Sequence, residues 1–258
     1  PKLSYFETMT ALAYSVFADS PVDVAIIEVG LGGTWDATSV CRPQVAVITP
    51  IDLDHQEYLG ETIREIAGEK AGILANADAA VLGPQSPEAA AILIQACANA
   101  DLQPTRFAVE YGVNSQALAV GGQLLSLHGL RGDYSEIFLP LFGEHQGNNA
   151  AVALAACETF LGSALLAPLD EDLVREGFAN VISPGRLEIL RTSPTIMVDA
   201  AHNPHSAKSL ATALETSFTF VGVIAVVGML HSKDAVGFLE ALSPVVSQVV
   251  ITETISPR

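Results

Sequence analysis

Residues 22–49, VDVAIIEVGLGGTWDATSVCRPQVAVIT, place two apolar runs on either side of a glycine-rich turn. Val22 to Val29 is interrupted only by Asp23 and Glu28, and Gln44 to Thr49 repeats the type. Short continuous runs rich in Val and Ile predict strands buried on both faces, the mark of a parallel sheet. Downstream, a helix over Thr62 to Leu74, a strand over Ala79 to Leu82, a helix over Glu88 to Asn99 and a strand over Thr105 to Val109 continue a β-α-β rhythm. Upstream, Ser4-Tyr5-Phe6-Glu7 has the form of a capping box, and Phe6, Met9, Ala13 and Phe17 recur at helical spacing up to Ala18.

From Gln116 to Phe142 the pattern changes to short alternating runs punctuated by Gly121-Gly122, Gly129 and Gly132-Asp133, which predicts antiparallel hairpins inserted in the fold or set at a sheet edge. Helices follow over Gln146 to Leu161 and Asp170 to Asn180, and Ser183-Pro184-Gly185 marks a turn. A second αβ series comes after it: strands over 187–191 and 195–199, a helix over 205–216, a strand over 221–227, a helix over 233–242 and a strand over 248–252. The expectation is an α/β protein with a mostly parallel sheet, divided near Pro184 into domains 1–184 and 185–258.

Half of the 258 residues (50%) are hydrophobic and 16% are charged, ample for one large core or two modest ones. A net charge of −17 with no basic run repels a phosphate backbone, which argues against nucleic-acid binding. An anionic ligand must then be held by a few placed cations, a metal or backbone N–H groups. The longest apolar run, Phe218 to Leu230, is shorter than the roughly 18 residues that cross a bilayer, so a soluble protein is expected. Cys41, Cys97 and Cys157 lack metal or redox spacing, as suits a reducing compartment. The chain opens on Pro1 rather than Met, which leaves room for an upstream segment.

Several groups arrive where strands end, the usual ligand edge of an α/β sheet. Gly30-Leu31-Gly32-Gly33 is no dinucleotide fingerprint, because Trp35 stands where the third glycine of GxGxxG belongs, and GxxxxGK[ST] is absent throughout. Glu28 inside an apolar strand needs a partner or a metal to offset its desolvation. Asp54-His55 follows the second strand, an imidazole beside carboxylates being a usual divalent-ion set; a satisfied core Glu and an ordinary loop His are the alternatives. Lys70, one of four lysines, lies among Ile66, Ala67, Ile73 and Leu74, where a partly buried amine is open to modification or catalysis unless it snorkels to water. Gly143-Glu144-His145-Gln146-Gly147-Asn148-Asn149 opens a helix with groups suited to a purine edge or ribose. Arg186 at the hinge could clamp a phosphate or make an interdomain salt bridge. Asp199 and His202 put an acid and a base before a helix N-terminus, where Asp and Asn are also ordinary caps. Lys233-Asp234 and Ser256-Pro257-Arg258 approach the same edge.

Taken in order, EVGLGGTWDAT at 28–38, TPIDLDHQEYLG at 49–60, IAGEKAGIL at 66–74, HQGNNAAVA at 145–153, SPGRLE at 183–188, DAAHNP at 199–204 and SPR at 256–258 resemble the folylpolyglutamate synthase/dihydrofolate synthase branch of the Mur ligase superfamily. The resemblance runs over essentially the whole chain. It implies a P-loop-type ATPase domain followed by a smaller Rossmann-like domain, both incomplete here. It also implies an ATP-dependent ligase that activates a dihydropteroate or reduced folate carboxylate as an acyl phosphate, which the amine of L-glutamate then attacks. Glu28, His55 and Lys70, the last as a CO2 adduct, would hold Mg2+. Asn149, His145, Arg186 and Asp199 would serve ATP, and Asp54, His202 and Ser256 the substrates, with Lys70, His55, Arg186 and His202 in catalysis. A monovalent cation such as K+, a monomeric state, a cytoplasmic location and no nucleic-acid or membrane partner complete the implied description.

Departures accompany the resemblance. Thr34 stands where a basic residue is common, Ala200 where Gly is common and Ser232 where an acid is common. The family's Gly-rich phosphate loop would lie upstream of Ser4 and its second domain would continue past Arg258. An internal fragment, inactive by itself, is therefore expected. A peptidoglycan-type Mur ligase, disfavoured by EVGLGG and DAT, and a non-catalytic nucleotide-binding remnant are the alternatives.

Overall fold

A computed structural model describes residues 2–20, 22–162, 167–231 and 233–253, and the chain forms two compact units, 1–106 and 107–258. In the first, helix α1 (Tyr5–Asp19) starts with the expected box: Glu7 N donates to the Ser4 hydroxyl, and Ser4 N donates to the Glu7 carboxylate at 2.6 Å. Strands β1 (Val45–Ile48), β2 (Ala79–Leu82) and β3 (Pro104–Arg106) lie parallel in that order. Helices α2 (Gln56–Leu59) and α3 (Ile63–Lys70) connect β1 to β2, and α4 (Pro87–Asn99) connects β2 to β3. Ala46, Ile48, Ile66, Ala67, Leu74, Leu93 and Cys97 form the buried seam between sheet and helices. Full burial of Ile66 and Leu93 stabilises this unit by about 1.5–3 kcal/mol each.

Two expectations need correction. Val22 to Val29 joins no ladder among the described residues, and Val22, Val24 and Ile26 are exposed. An apolar run supplies a strand's side chains but not the neighbour whose N–H and C=O groups complete it. Glu28 is exposed with it, so the desolvation argued for that carboxylate does not apply. The helix expected to reach Leu74 is α-helical only to Lys70 and tightens into a 3-10 turn over Ala71–Leu74, where Gly72, a weak helix former, is pressed against Thr34.

In the second unit, β4 (Gly112–Ala119), β5 (Gly122–His128) and β6 (Asp133–Leu139) make the expected antiparallel meander. Helices α5 (Glu144–Leu161) and α6 (Glu171–Ala179) follow. Glu158 of α5 is 1% exposed, and its carboxylate accepts from Leu130 N at 2.6 Å, Arg131 N at 3.3 Å and Tyr134 Oη at 2.7 Å. It thereby ties the β5–β6 turn to the helix. Burial, then the bond to Glu158, push the Tyr134 hydroxyl up to about 12. Strands β7 (Glu188–Thr192) and β8 (Thr195–Val198) pair antiparallel. Helix α7 (Pro204–Ser217), β9 (Ile224–Gly228), α8 (Ala235–Leu242) and β10 (Gln248–Thr252) complete the unit, β9 and β10 running parallel. Ala207 and Ala211 of α7 pack on Phe238 and Leu242 of α8.

Candidate functional site

The EVGLGGTWDAT stretch and the end of α3 are locked together by glycines. A Cβ on Gly33 would lie 2.8 Å from the carbonyl oxygens of both Glu69 and Lys70, and one on Gly72 would lie 2.5 Å from Thr34 N. Only hydrogen atoms fit in those spaces, so the two backbones touch. Thr34 Oγ1 also donates to Glu69 O at 3.2 Å, and Ser39 Oγ donates to Gly33 O at 2.6 Å. Gly32 takes a left-handed φ of 72°, and a Cβ there would meet Leu59 Cδ2 at 3.1 Å and Glu69 Oε2 at 3.9 Å. The segments carrying Glu28, His55 and Lys70 therefore meet around Gly32.

Asp36 holds this loop in shape. Its carboxylate accepts from Leu31 N at 2.9 Å, Thr38 N at 2.9 Å and Thr38 Oγ1 at 2.6 Å. Burial works to raise its pKa, but the bonds from Thr38, Leu31 and Gly30 outweigh burial and hold the group below its ordinary value. Sequence reasoning passed over Asp36, although an Asp opening an Asp-x-Thr turn is a recognisable cap. His55 caps α2 with φ 53°, a left-handed conformation uncommon outside glycine. Its N–H donates to Asp54 Oδ1 at 2.8 Å, and Nε2 lies 3.9 Å from Asp54 Oδ2. Lys70 is half-buried, His55 exposed. Among the described residues no group of three or more His, Cys, Asp or Glu side chains could hold a metal ion. Magnesium does not demand such a cage, since it keeps waters and takes one or two protein oxygens plus substrate phosphates; Glu28 brings such an oxygen as it stands, and Lys70 would bring one only as a carbamate.

The second unit gathers other expected residues. His145, in the first turn of α5, interacts electrostatically with Asp199, Arg186 and His205. Burial is the main force lowering its pKa; Asp199 opposes this, and Arg186 and His205 reinforce it. Asp199 accepts from Leu187 N at 2.9 Å and Ala201 N at 2.8 Å, so it also fastens the start of β7 to the loop after β8. Ala200 N donates to Gly185 O at 2.8 Å across the same junction. His202 Nδ1 lies 3.0 Å from Ala200 O. Asn203 caps α7 with Ser206 in a reciprocal box. Asn149 is exposed, and its Nδ2 donates to Oε1 of the buried Gln146 at 3.2 Å. His205 was missed in the sequence; its spacing of three from His202 at a helix start was the available signal. Ser232 and Ser256 lie outside the described residues.

Residues 5–157 match the Mur ligase middle domain and residues 185–258 the Mur ligase glutamate ligase domain. The dihydrofolate synthase/folylpolyglutamate synthase of Mycobacterium tuberculosis is 50% identical, over 100% of this chain and 54% of that protein. The folylpolyglutamate synthase of Lacticaseibacillus casei is 36% identical, over 95% of this chain and 57% of that protein. A solved M. tuberculosis folylpolyglutamate synthase complexed with ADP superposes with a TM-score of 0.95 at 50% identity, over 100% of this chain and 58% of that one. A solved FPGS–AMPPCP–folate complex gives 0.91 at 36% identity, over 97% of this chain and 60% of that one. The chain spans about half the length of the curated relatives it matches.

Proposed function

This chain belongs to the Mur ligase family, and we propose that it is part of an ATP-dependent ligase that joins L-glutamate to a pteroate or folate carboxylate through an acyl phosphate. The support is the packing of EVGLGGTWDAT onto the helix end that carries Lys70, in a chain half identical to a dihydrofolate synthase/folylpolyglutamate synthase. The relatives solved with ADP, or with AMPPCP and folate, make ATP and a folate-type acceptor the small-molecule partners of choice. The matches to residues 5–157 and 185–258 support an ATPase domain over 1–184 and a glutamate ligase domain over 185–258. In this reading the protein is monomeric and cytoplasmic; no helix of the described residues is long and apolar enough to cross a membrane.

Glu28, His55 and Lys70, the last as a carbamate, would hold Mg2+, with K+ as a further ion. When bound, Mg2+ supplies positive charge against the phosphate oxygens. A carbamate makes sense at Lys70 because it replaces an ammonium, which repels a cation, with an anion that attracts one. The acceptor carboxylate attacks the γ-phosphorus and ADP leaves; the glutamate amine then attacks the acyl carbon and inorganic phosphate leaves. Arg186 offsets the negative charge that builds during phosphoryl transfer. His145, held neutral by burial, offers one donor and one acceptor nitrogen to the nucleotide, beside Asn149 and Asp199. His202, with Nδ1–H directed to Ala200 O, has Nε2 as its basic nitrogen, suited to the ammonium proton of glutamate; Asp54 and Ser256 contact the substrates.

The test is phosphate release by the full-length protein given ATP, magnesium, glutamate and either dihydropteroate or tetrahydrofolate. Release that depends on a pterin and on glutamate is expected. Release that instead requires a UDP-sugar peptide overturns the proposal.

A further inference from the structure

The antiparallel sheet β4–β6 has no part in the chemistry proposed above, yet two of its side chains reach the turn that begins α5. Gln123 is 3% exposed, and its Nε2 donates to Leu141 O at 2.7 Å and Gly143 O at 3.0 Å. Its Oε1 accepts from Gln116 Nε2, which also lies 3.4 Å from Gly143 O. Gly143 O receives Gln146 N as well, at 3.0 Å, so the first carbonyl of α5 is fixed from the helix and from the sheet. Gly143 has φ 96°, and a Cβ there would lie 2.6 Å from His145 Cε1 and 2.8 Å from Nδ1. The imidazole therefore rests on the bare Cα of the residue that Gln123 grips. One turn on, a Cβ at Gly147 would fall 2.5 Å from Gln116 Oε1, so the second glutamine bears on the helix directly. His145 and Asn149 stand on the turns so held.

A buried amide loses its hydration, and a leucine of similar volume would fill the same space without that loss. Paired glutamines here add little to stability over an apolar pair; what they add is direction, because each N–H fixes where a carbonyl points. We infer that Gln123, supported by Gln116, is a positioning residue that sets the His145–Asn149 turn of α5 for the nucleotide. This rests on the ATP-side role given to His145 and Asn149 under the proposed function.

The experiment uses the full-length protein with Gln123→Leu, Gln123→Glu and Gln116→Leu, measuring KM for each substrate, kcat, and the Kd of a fluorescent ATP analogue. Gln123→Leu removes both donors, and Gln123→Glu keeps the shape but turns an acceptor toward two carbonyls. Both should raise the KM for ATP and the analogue Kd about tenfold while the KM for glutamate and pterin stays near wild type. Gln116→Leu, losing the longer bond, should raise them about threefold. A general loss of folded enzyme lowers kcat without singling out ATP. Unchanged ATP KM and analogue Kd in a folded Gln123 variant, or an equal rise for all three substrates, overturns the positioning role. Should both Gln123 variants fail to fold, Gln116→Leu decides by the same readouts, and no change in it overturns the role. Wild-type protein that releases no phosphate in response to pterin and glutamate defeats the ligase reading instead, and the analogue Kd still judges Gln123.

Discussion

Two alanine substitutions, each adding one methyl group, should move stability in opposite directions. Gly33 faces the backbone oxygens of Glu69 and Lys70, 2.8 Å from a built Cβ, with Ile73 Cγ2 at 3.1 Å. These are helix-end carbonyls rather than the tips of flexible side chains, so the loop must lift off or the helix end must shift. Overpacking of this kind costs about 1–3 kcal/mol. Gly68 sits two residues from Lys70 on the exposed side of α3 with nothing within 4 Å of a built Cβ. Alanine there gains about 1 kcal/mol from helix propensity alone. Urea denaturation followed by far-UV circular dichroism measures both, and the slope should match wild type so that the midpoint reads stability. Gly33→Ala should lower the midpoint and Gly68→Ala should raise it. A Gly33→Ala midpoint equal to wild type would show that the glycine loop does not bear on the end of α3, and a lowered one for Gly68→Ala would show that the space beside Gly68 is not open.

Glu158→Ala leaves Tyr134 Oη and two backbone N–H groups without their acceptor and should destabilise by about 3 kcal/mol or more, read in the same denaturation assay. His145 should titrate below its ordinary 6.5 by proton NMR. Its folded pKa is depressed, so the unfolded chain takes the proton more readily; stability falls as pH drops from about 6.5 toward the folded value and levels off below it. His145→Gln should remove that part of the pH dependence. Lys70→Ala in the full-length protein should abolish turnover and leave the circular dichroism spectrum intact, and unchanged activity refutes the carbamate.

The glycines that bind loop to helix end could be located in the sequence, but not what each one touches. Gly30-Leu31-Gly32-Gly33 reads as a turn, and the contacts of Gly33 with Glu69, Lys70 and Ile73 depend on residues some forty positions away. The parallel strands β1 and β2 were legible because each run is continuous and apolar, as burial on both faces demands. Val22 to Val29 carries the same pattern and fails, since pairing is a property of two segments. Local caps, such as Ser4 with Glu7, span four residues and are written in one place. Glu158, Gln123 and Gln116 escaped notice because an isolated polar residue in a helix or hairpin reads as surface. A glutamine at an inward position of an alternating strand was the signal for Gln123.

Trp35, the one tryptophan of the chain, is 89% exposed at the tip of the glycine loop, beside the Thr34 hydroxyl that holds Glu69. Its indole already sits in water in the native protein, so its emission changes little on unfolding. Anything that settles on the loop will strip that water away and shift the emission to the blue. The chain thus carries its own optical reporter of occupancy, almost blind to global unfolding and sensitive to a visitor at the place where the glycine loop meets Leu59 and Glu69.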